Sequence, residues 1–377
     1  MPSVRAASGQ IPRGAKTPVP PTTPVRVVTP DLPRLPFERD GAIKVFRLRA
    51  EPVRTEFVPG RVVDAWGFNG SVPGPTIEVN EGDTVRIIVE NRLPEVFAPH
   101  WHGLEVPIGM DGVPGISQDP IEPGESFTYE FTLHQNGTFF YHSHMAMQEM
   151  MGMIGFFIVH PRAAHAPVVD RDFGIILQGW MIQPNNTVPN TLAMEFNWLT
   201  MNGKSGPATT PLIVKRGERV RLRLVNLGMD HHPIHLHGNQ FVVTGTEAGR
   251  GGGPFTLYEN TVLVGVAQAR DVEFVAKYAG DWMLHCHLPH HMMNQMVAMV
   301  GPMMVDPAGK EAKVAGYPQD MWMPMDELAG NKPEVYGLPP NWTGGMMGMM
   351  TLVRVVEPDV FAKIEQLRAA RTAEVAR

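Results

Sequence analysis

The sequence predicts an all-β protein built from two Greek-key β-sandwich domains. Three observations support this prediction: a turn-rich composition, short β-branched runs and an internal repeat. Of the 377 residues, 38 are Gly and 36 are Pro, which suits many tight turns better than a helical bundle. Runs such as 84–89 and 220–225 are rich in Val, Ile and Leu, and turn residues separate such runs about every 8 to 12 residues, as in β-sandwiches.

The internal repeat gives the two halves of the chain the same order of sequence elements. An Asn-Gly pair, a Gly-acidic pair and a His-x-His-Gly element occur in each half, at 69–70, 82–83 and 100–103 and again at 202–203, 217–218 and 235–238. Gly82 and Gly217 are 135 residues apart. A later pair of elements, His-Ser-His at 142–144 and His-Cys-His at 285–287, is 143 residues apart. The repeat therefore predicts two domains of one kind.

The repeat also sets the predicted domain boundaries. We place the first sandwich at residues 41–162 and the second at 168–307, joined by a short linker. Residues 1–40 are rich in proline and are expected to form an extended N-terminal arm. Residues 308–377 are a Met-containing C-terminal extension. Its last stretch, 358–377, carries Phe361, Ile364 and Leu367 at helical spacing and predicts an amphipathic helix.

Composition excludes several classes of function. The net charge is −6 and the basic residues are scattered, so the sequence lacks the basic stripe of a nucleic-acid-binding protein. A single cysteine rules out a disulfide within the chain. No apolar run has the roughly 18 to 20 residues needed to cross a bilayer, and the N-terminus has no apolar signal core. We therefore expect a soluble chain that does not associate with membranes.

Histidine occurs as His-x-His in four places, twice in each repeat: His100/His102, His142/His144, His235/His237 and His285/His287. Residues i and i+2 of a strand point to the same face, so each pair presents two imidazoles side by side. One such pair is weak evidence, but eight imidazoles at matching places have no packing advantage. Because neutral imidazole is a favoured ligand of copper, zinc and iron, the four pairs predict a metal cluster.

The single cysteine lies in the most informative position of the sequence. Cys286 stands between two histidines of the predicted cluster, and His232, His291 and Met296 are its candidate partners. One thiolate, two imidazoles and a weak thioether are the ligand set of a blue copper centre. The alternative, an inert buried cysteine, leaves these flanking residues as coincidence.

With these elements the sequence resembles the two-domain multicopper oxidases, often called small laccases, over about residues 60–305. The resemblance is carried by four elements: His-Trp-His-Gly at 100–103, His-Ser-His at 142–144, His-Pro-Ile-His-Leu-His-Gly at 232–238, and His-Cys-His at 285–287 with His291 and Met296. It implies that both sandwiches are cupredoxin-like and that each chain uses four copper ions. It also implies an extracytoplasmic, periplasmic or secreted location.

The resemblance assigns the copper ligands residue by residue. It implies that His232, Cys286, His291 and Met296 hold a type 1 copper, that His100 and His235 hold a type 2 copper, and that a type 3 pair is held by His102, His142, His144, His237, His285 and His287. Asp111 lies where the family keeps a carboxylate that helps deliver protons to reduced oxygen. Its alternative reading is an ordinary turn aspartate before Gly112.

Some assignments stay open at the level of the sequence. The adjacent pairs His231/His232 and His290/His291 each offer two imidazoles, although spacing favours the second of each, and Met299 competes with Met296 as axial ligand. In the first repeat the positions that match the type 1 ligands are Phe97, Ser143 and Gln148, so we expect only one blue copper centre.

The implied function is a laccase-like oxidase that couples four one-electron oxidations to reduction of dioxygen to two waters. Phenols, aromatic amines or Cu(I) are the expected reductants, giving their electron through an exposed edge of His291. The Met-dense segment 346–350 either serves Cu(I) oxidation or fills a core. The expected assembly is a homotrimer with copper clusters between subunits. The competing hypotheses are a copper nitrite reductase and a non-catalytic copper-binding protein.

Overall fold

The computed structural model describes residues 24–251, 257–293 and 322–375. The strands of its first half are β1 (Val27–Val28), β2 (Phe37–Asp40), β3 (Ile43–Glu56), β4 (Val62–Phe68), β5 (Ile77–Asn80), β6 (Thr84–Asn91), β7 (Pro99–His102), β8 (Ser126–Thr132), β9 (Gly137–Ser143) and β10 (Ile154–His160). Two short 3-10 helices, Ile108–Met110 and Glu149–Met151, lie in its loops.

The second half continues with strands and ends in a helix. Its strands are β11 (Arg171–Trp180), β12 (Trp198–Met201), β13 (Leu212–Lys215), β14 (Arg219–Asn226), β15 (His232–Leu236), β16 (Phe241–Thr246), β17 (Gly249–Arg250), β18 (Tyr258–Glu259), β19 (Thr261–Val264), β20 (Gln268–Val275), β21 (Gly280–Cys286) and β22 (Met350–Val356). Its helical elements are the 3-10 turns Pro289–Met292, Pro333–Val335 and Trp342–Gly345, and the helices α1 (Asp326–Ala329) and α2 (Pro358–Val375).

Each half is a sandwich of two sheets, as the sequence predicts. The first pairs the sheet β2-β3-β6-β8, with β4 beside β3, against the sheet β5-β10-β9-β7. The second pairs the sheet β1-β11-β14-β20-β16-β17, with β12 and β18 at its sides, against the sheet β13-β22-β21-β15-β19. One apolar core fills each sandwich. The predicted all-β fold of two sandwiches is therefore confirmed.

Burial patterns show which sheet faces are covered. β6 alternates between buried and partly exposed residues because only one of its faces meets the core. β10 is buried along its whole length, since Phe156 and Ile158 on its second face pack against Ile176 and Val225 of the second sandwich. The two sandwiches thus share an apolar interface.

Three predicted boundaries need correction. β1 and β2 lie inside the predicted arm 1–40: β1 pairs with β11 of the second sandwich, and β2 pairs with β3. The second sandwich also continues past residue 307, because β22 pairs with both β13 and β21. An edge strand without its own metal ligands carries no sequence signal of membership in a particular sheet.

The C-terminal helix was correctly predicted. α2 covers Pro358–Val375, and it places Ile364 against Ile213 and Val356 of the second sandwich. No helix among the described residues is both long enough and apolar enough to span a membrane.

Candidate metal centres

One candidate site joins the single cysteine to two histidines inside the second sandwich. The Sγ atom of Cys286 lies 3.3 Å from Nδ1 of His291 and 3.8 Å from Nδ1 of His232, and these two Nδ1 atoms are 3.1 Å apart. All three side chains are buried. Three soft or borderline donor atoms therefore converge on one point, as a single metal ion requires.

Three elements bring these residues together. Cys286 ends β21 and His232 begins β15, which are antiparallel neighbours in one sheet. His291 lies in the 3-10 turn that follows β21. The competing histidines, His231 and His290, are exposed at the surface, so only the second residue of each adjacent pair reaches Cys286.

The electrostatics of this site fit a metal ion. Burial raises the pKa of the Cys286 thiol to about 12. Burial, reinforced by the neighbouring His291 and His231, lowers the pKa of His232 to about 3. Both imidazoles are therefore neutral donors, and a cation held between them would stabilise the thiolate that burial alone disfavours. Met296 and Met299, the candidate axial ligands, lie outside the described residues.

A second group of histidines lies at one edge of the first sandwich. Antiparallel pairing of β7 and β9 sets His100 opposite His142, so their side chains are neighbours on one face. The rings of His102 and His144 complete the group, with centroid separations of 5.6 Å and 5.5 Å from the His100 ring. Burial lowers the pKa of His102 to about 4 and also lowers the pKa of His100.

The second sandwich repeats this arrangement. β15 and β21 set His235 opposite His285, and the rings of His237 and His287 lie 4.8 Å and 5.5 Å from the His235 ring. Nε2 of His237 and Nε2 of His285 are 3.0 Å apart. All eight predicted histidines thus fall into two groups of four.

In the described part of the chain no hydrogen bond or ring contact joins one group to the other. The groups are also open to solvent, because His144 in the first and His237 and His287 in the second are exposed. Each group by itself is half of the cluster that the sequence predicts.

Asp111 lies directly behind the first histidine group. Nδ1 of His100 donates a hydrogen bond to the backbone oxygen of Asp111 at 2.8 Å, and a carboxylate oxygen of Asp111 is 3.5 Å from the same nitrogen. The residue is partly exposed. It therefore orients His100 through its backbone and leaves its carboxylate beside the ring.

The matching position in the first sandwich contains no metal site. The hydroxyl of Ser143, which replaces the cysteine, donates a hydrogen bond to the side-chain oxygen of Gln148 at 2.7 Å. Phe97, which replaces the first histidine, is buried in the apolar core. A serine–glutamine pair thus occupies the place that Cys286 and its partners take in the second sandwich.

Two expectations about the surface are changed by the structure. His291 is only 7% exposed, so it offers no free edge. The four methionines of segment 346–350 are buried, and the backbone nitrogen of Met349 donates a hydrogen bond to the His291 oxygen at 2.8 Å. This segment packs over the cysteine site, which favours the core-filling role.

Sequence reasoning missed two carboxylates that contact the candidate ligands. Asp230 Oδ2 is 3.3 Å from Nε2 of His291, and Glu149 Oε1 is 3.0 Å from Nδ1 of His142. Asp230 directly precedes the His231-His232 pair, and this adjacency was the only available signal. Glu149 is five residues beyond His144 in a methionine-rich loop and gave none.

Fold and site together define a two-domain protein of the cupredoxin type with a cysteine–histidine metal site. Two family models, both described as multicopper oxidase, match residues 51–164 and 182–303. The chain belongs to the multicopper oxidase family.

Similar proteins agree with this assignment. Copper resistance protein A of Escherichia coli is 37% identical over 145 residues, which are 38% of this chain and 24% of that protein. Laccase-2 of Botryotinia fuckeliana is 33% identical over 246 residues, which are 59% of this chain and 41% of that protein. The chain therefore spans less than half the length of these two relatives. The crystal structure of a blue copper oxidase from Nitrosomonas europaea matches with a TM-score of 0.64 and 29% identity, covering 82% of this chain and 85% of that one.

Proposed function

We propose that the protein is a laccase-like multicopper oxidase that couples four one-electron oxidations to the reduction of dioxygen to two waters. The observation that carries the proposal is the position of Cys286. Its sulfur faces His232 and His291, while its chain neighbours His285 and His287 belong to the second histidine group. One short stretch of backbone therefore connects two metal sites.

The donor set fits copper. His232, Cys286 and His291 would hold the type 1 ion with Met296 or Met299, and the eight paired histidines would hold the other three. When bound, copper supplies the one-electron chemistry and the reduction of dioxygen. The side chains supply the ligand geometry, and the Cys286 backbone offers a covalent path between the sites. The Asp111 carboxylate holds a proton close to His100.

The cluster needs two chains in this proposal. Each histidine group is half a cluster and is open on one side, so the first group of one subunit would meet the second group of another. A ring of three copies closes such a head-to-tail contact. Dioxygen and a phenol, an aromatic amine or Cu(I) are the proposed substrates, and the extracytoplasmic location stays a prediction.

Spectroscopy and oxygen uptake test the proposal. The copper-loaded protein should show an intense sulfur-to-copper charge-transfer band in the red and should consume oxygen with a phenolic reductant. Cys286→Ser should abolish the band and lower oxygen uptake by more than the roughly 10- to 100-fold that loss of a ligand's hydrogen-bond partner costs.

The internal repeat supplies a matched control. Ser143→Cys places a thiol at the equivalent position of the first sandwich, where Phe97 and Gln148 replace the other ligands. It should leave the intensity of the band unchanged. A colourless copper-loaded protein contradicts the proposal, and nitrite reduction without oxygen uptake would favour the nitrite reductase alternative. Copper binding without turnover of either substrate would favour a copper carrier.

A further inference from the structure

The path from solvent to the cysteine site passes a carboxylate. The two ring nitrogens of His291 have different partners: Nδ1 faces Sγ of Cys286 at 3.3 Å, and Nε2 faces Oδ2 of Asp230 at 3.3 Å. The His291 side chain is 9% exposed, whereas the Asp230 side chain is 41% exposed. The outermost group in this row is therefore a carboxylate and not an imidazole.

A buried asparagine fixes the loop that carries Asp230. The amide nitrogen of Asn226 donates hydrogen bonds to the backbone oxygen of Asp230 at 2.8 Å and to that of Val264 at 3.1 Å. The side-chain oxygen of Asn226 accepts a hydrogen bond from the Gly228 nitrogen at 2.9 Å. Since Asn226 is fully buried, Asp230 is attached to a rigid part of the sandwich.

The neighbouring surface is mostly apolar. Met229, Val266 and Leu288 each expose about two fifths of their surface. They belong to three loops that meet at this end of the sandwich: Met229 adjoins Asp230, the Val266 nitrogen donates to Nδ1 of His231 at 3.1 Å, and the Leu288 oxygen accepts from the His291 nitrogen at 2.9 Å. We call Met229, Asp230, Val266 and Leu288 the donor surface.

We propose that Asp230 is a positioning and specificity-determining residue that holds His291 and makes the donor surface selective for reductants by their charge. This inference rests on the proposed oxidase function. As acceptor for the Nε2 proton, Asp230 fixes the ring with Nδ1 toward Cys286. Its negative charge attracts cationic reductants and repels anionic ones, while the apolar side chains around it accept an aromatic ring.

The stoichiometry sets what must dock on this surface. Each visiting reductant gives up one electron and leaves as its one-electron oxidised form. Four such visits, with four protons from solvent, reduce one dioxygen to two waters. The oxidant is therefore the dioxygen of the proposed function, and Asp230 forms no covalent bond in any step.

Two ferrocenes of opposite charge provide the test. Ferrocenylmethyl-trimethylammonium and ferrocene carboxylate share one redox core, and kcat/KM for each is measured by oxygen uptake at low salt. The native enzyme should prefer the cation. In Asp230→Asn this preference should fall roughly tenfold, as expected when one unit charge close to both probes is removed. High salt should shrink the preference of the native enzyme toward that of the variant.

Three further measurements separate this role from a structural one. Asp230→Asn should raise the reduction potential of the blue chromophore, since a negative charge beside His291 favours the oxidised ion. Asp230→Glu, which keeps the charge, should retain the preference for the cation. Glu122→Gln removes an exposed negative charge from the first sandwich and should change neither the preference nor the potential.

The possible failures are distinguishable. A blue, oxygen-consuming Asp230→Asn variant with the native charge preference and potential overturns the role of Asp230 and leaves the proposed oxidase function standing. An equal loss of preference in Glu122→Gln also overturns it, because the effect would then reflect net charge alone. A native protein without the blue band overturns both proposals.

Discussion

At the scale of single residues, backbone carbonyl groups orient the candidate copper ligands. In four of the paired histidines Nδ1 donates a hydrogen bond of 2.7–2.8 Å to a carbonyl oxygen: His100 to Asp111, His142 to Ser143, His235 to Asn260 and His285 to Cys286. A donating Nδ1 fixes the tautomer in which Nε2 carries the free lone pair. The matching partners in both repeats mean that the rings are prepared for metal before any metal arrives.

Asp111 gives the first prediction at this scale. Asp111→Asn keeps the backbone oxygen that accepts from His100 but removes the carboxylate. If that carboxylate delivers protons, oxygen uptake should fall by about a hundredfold, in the range of a lost general acid. Copper content and the blue band should stay at native values, as measured by metal analysis and visible absorption.

Asp119 offers the control for this change, because it is an exposed aspartate in the same connection between β7 and β8. Asp119→Asn should be as active as the native protein. Native oxygen uptake in Asp111→Asn would show that Asp111 is only a turn residue. A loss of copper from Asp111→Asn would instead show that the carboxylate supports the His100 site structurally.

The sequence predicts residues of this site unevenly. Strand periodicity and the repeat were enough to bring together the eight paired histidines, and Cys286 with His232 and His291. They could not predict Asp230 or the burial of His291, because both depend on how the loops after β14 and β21 fold over the site. Such contacts join segments about 60 residues apart and follow no local period.

At the scale of elements, a buried network of charges links the two sandwiches. On β14, Arg223 forms a bidentate ion pair with Asp172 of β11, with both distances 2.8 Å. Arg223 also donates to the Thr138 hydroxyl at 2.7 Å, and that hydroxyl donates to Asp271 at 2.6 Å. Thr138 lies on β9, the strand that carries His142. The network therefore ties the first histidine group to the second sandwich.

Glu273 on β20 gives the second prediction, for stability. Its carboxylate is 1% exposed and accepts hydrogen bonds from Arg221 at 2.9 Å and Arg250 at 2.5 Å. Glu273→Gln leaves two buried guanidinium groups without their counter-charge, so the free energy of unfolding should fall by about 3–5 kcal/mol. Denaturant unfolding of the copper-free protein measures this change.

The pH dependence of stability follows from the same residue. Burial by itself raises the pKa of the Glu273 carboxyl, but Arg221 and Arg250 outweigh burial and hold the pKa below its ordinary value. Its stabilising contribution is therefore full above about pH 4.3, the ordinary glutamate pKa, and is lost as the pH falls through the lower pKa of the folded state. The Gln variant should lack this part of the acid-induced loss.

A surface pair provides the comparison for this effect. Glu130 of β8 pairs with Arg86 at 2.6 Å but is 43% exposed, so Glu130→Gln should cost less than about 1 kcal/mol. Equal effects of the two substitutions would mean that the buried network contributes no more than a surface ion pair.

Elements were predicted best where their residues carry a repeat. β6 and β14, and the pairs β7/β9 and β15/β21, follow from sequence elements that occur twice. β22 was missed because nothing in the first half corresponds to a strand some 65 residues beyond Cys286. Its all-buried residues reflect burial on both faces, and such an apolar run shows no alternation from which a strand could be told apart.

At the scale of the whole molecule, the packing of the two sandwiches separates the two histidine groups. Phe140 and Phe156 of the first sandwich pack against Ile176 and Val225 of the second. Gly137 and Gly249 approach so closely that a Cβ on Gly137 would lie 2.5 Å from the Cα of Gly249. An interface this tight resists the sliding that would bring the groups together within one chain. A complete cluster is then expected only between chains.

Subunit mixing tests this expectation. His144→Ala disables the first group and His237→Ala disables the second, and both side chains are exposed in the single chain, so neither change should prevent folding. Each variant alone should be inactive. Co-expression with two different tags, followed by purification on both, isolates rings that contain both variants. In a ring of three, one contact of the three joins two intact groups, so oxygen uptake should return to about a third of the native value per chain. If each chain instead completed its own cluster, every site in the mixed ring would lack one histidine, and the doubly purified protein would stay as inactive as its parents.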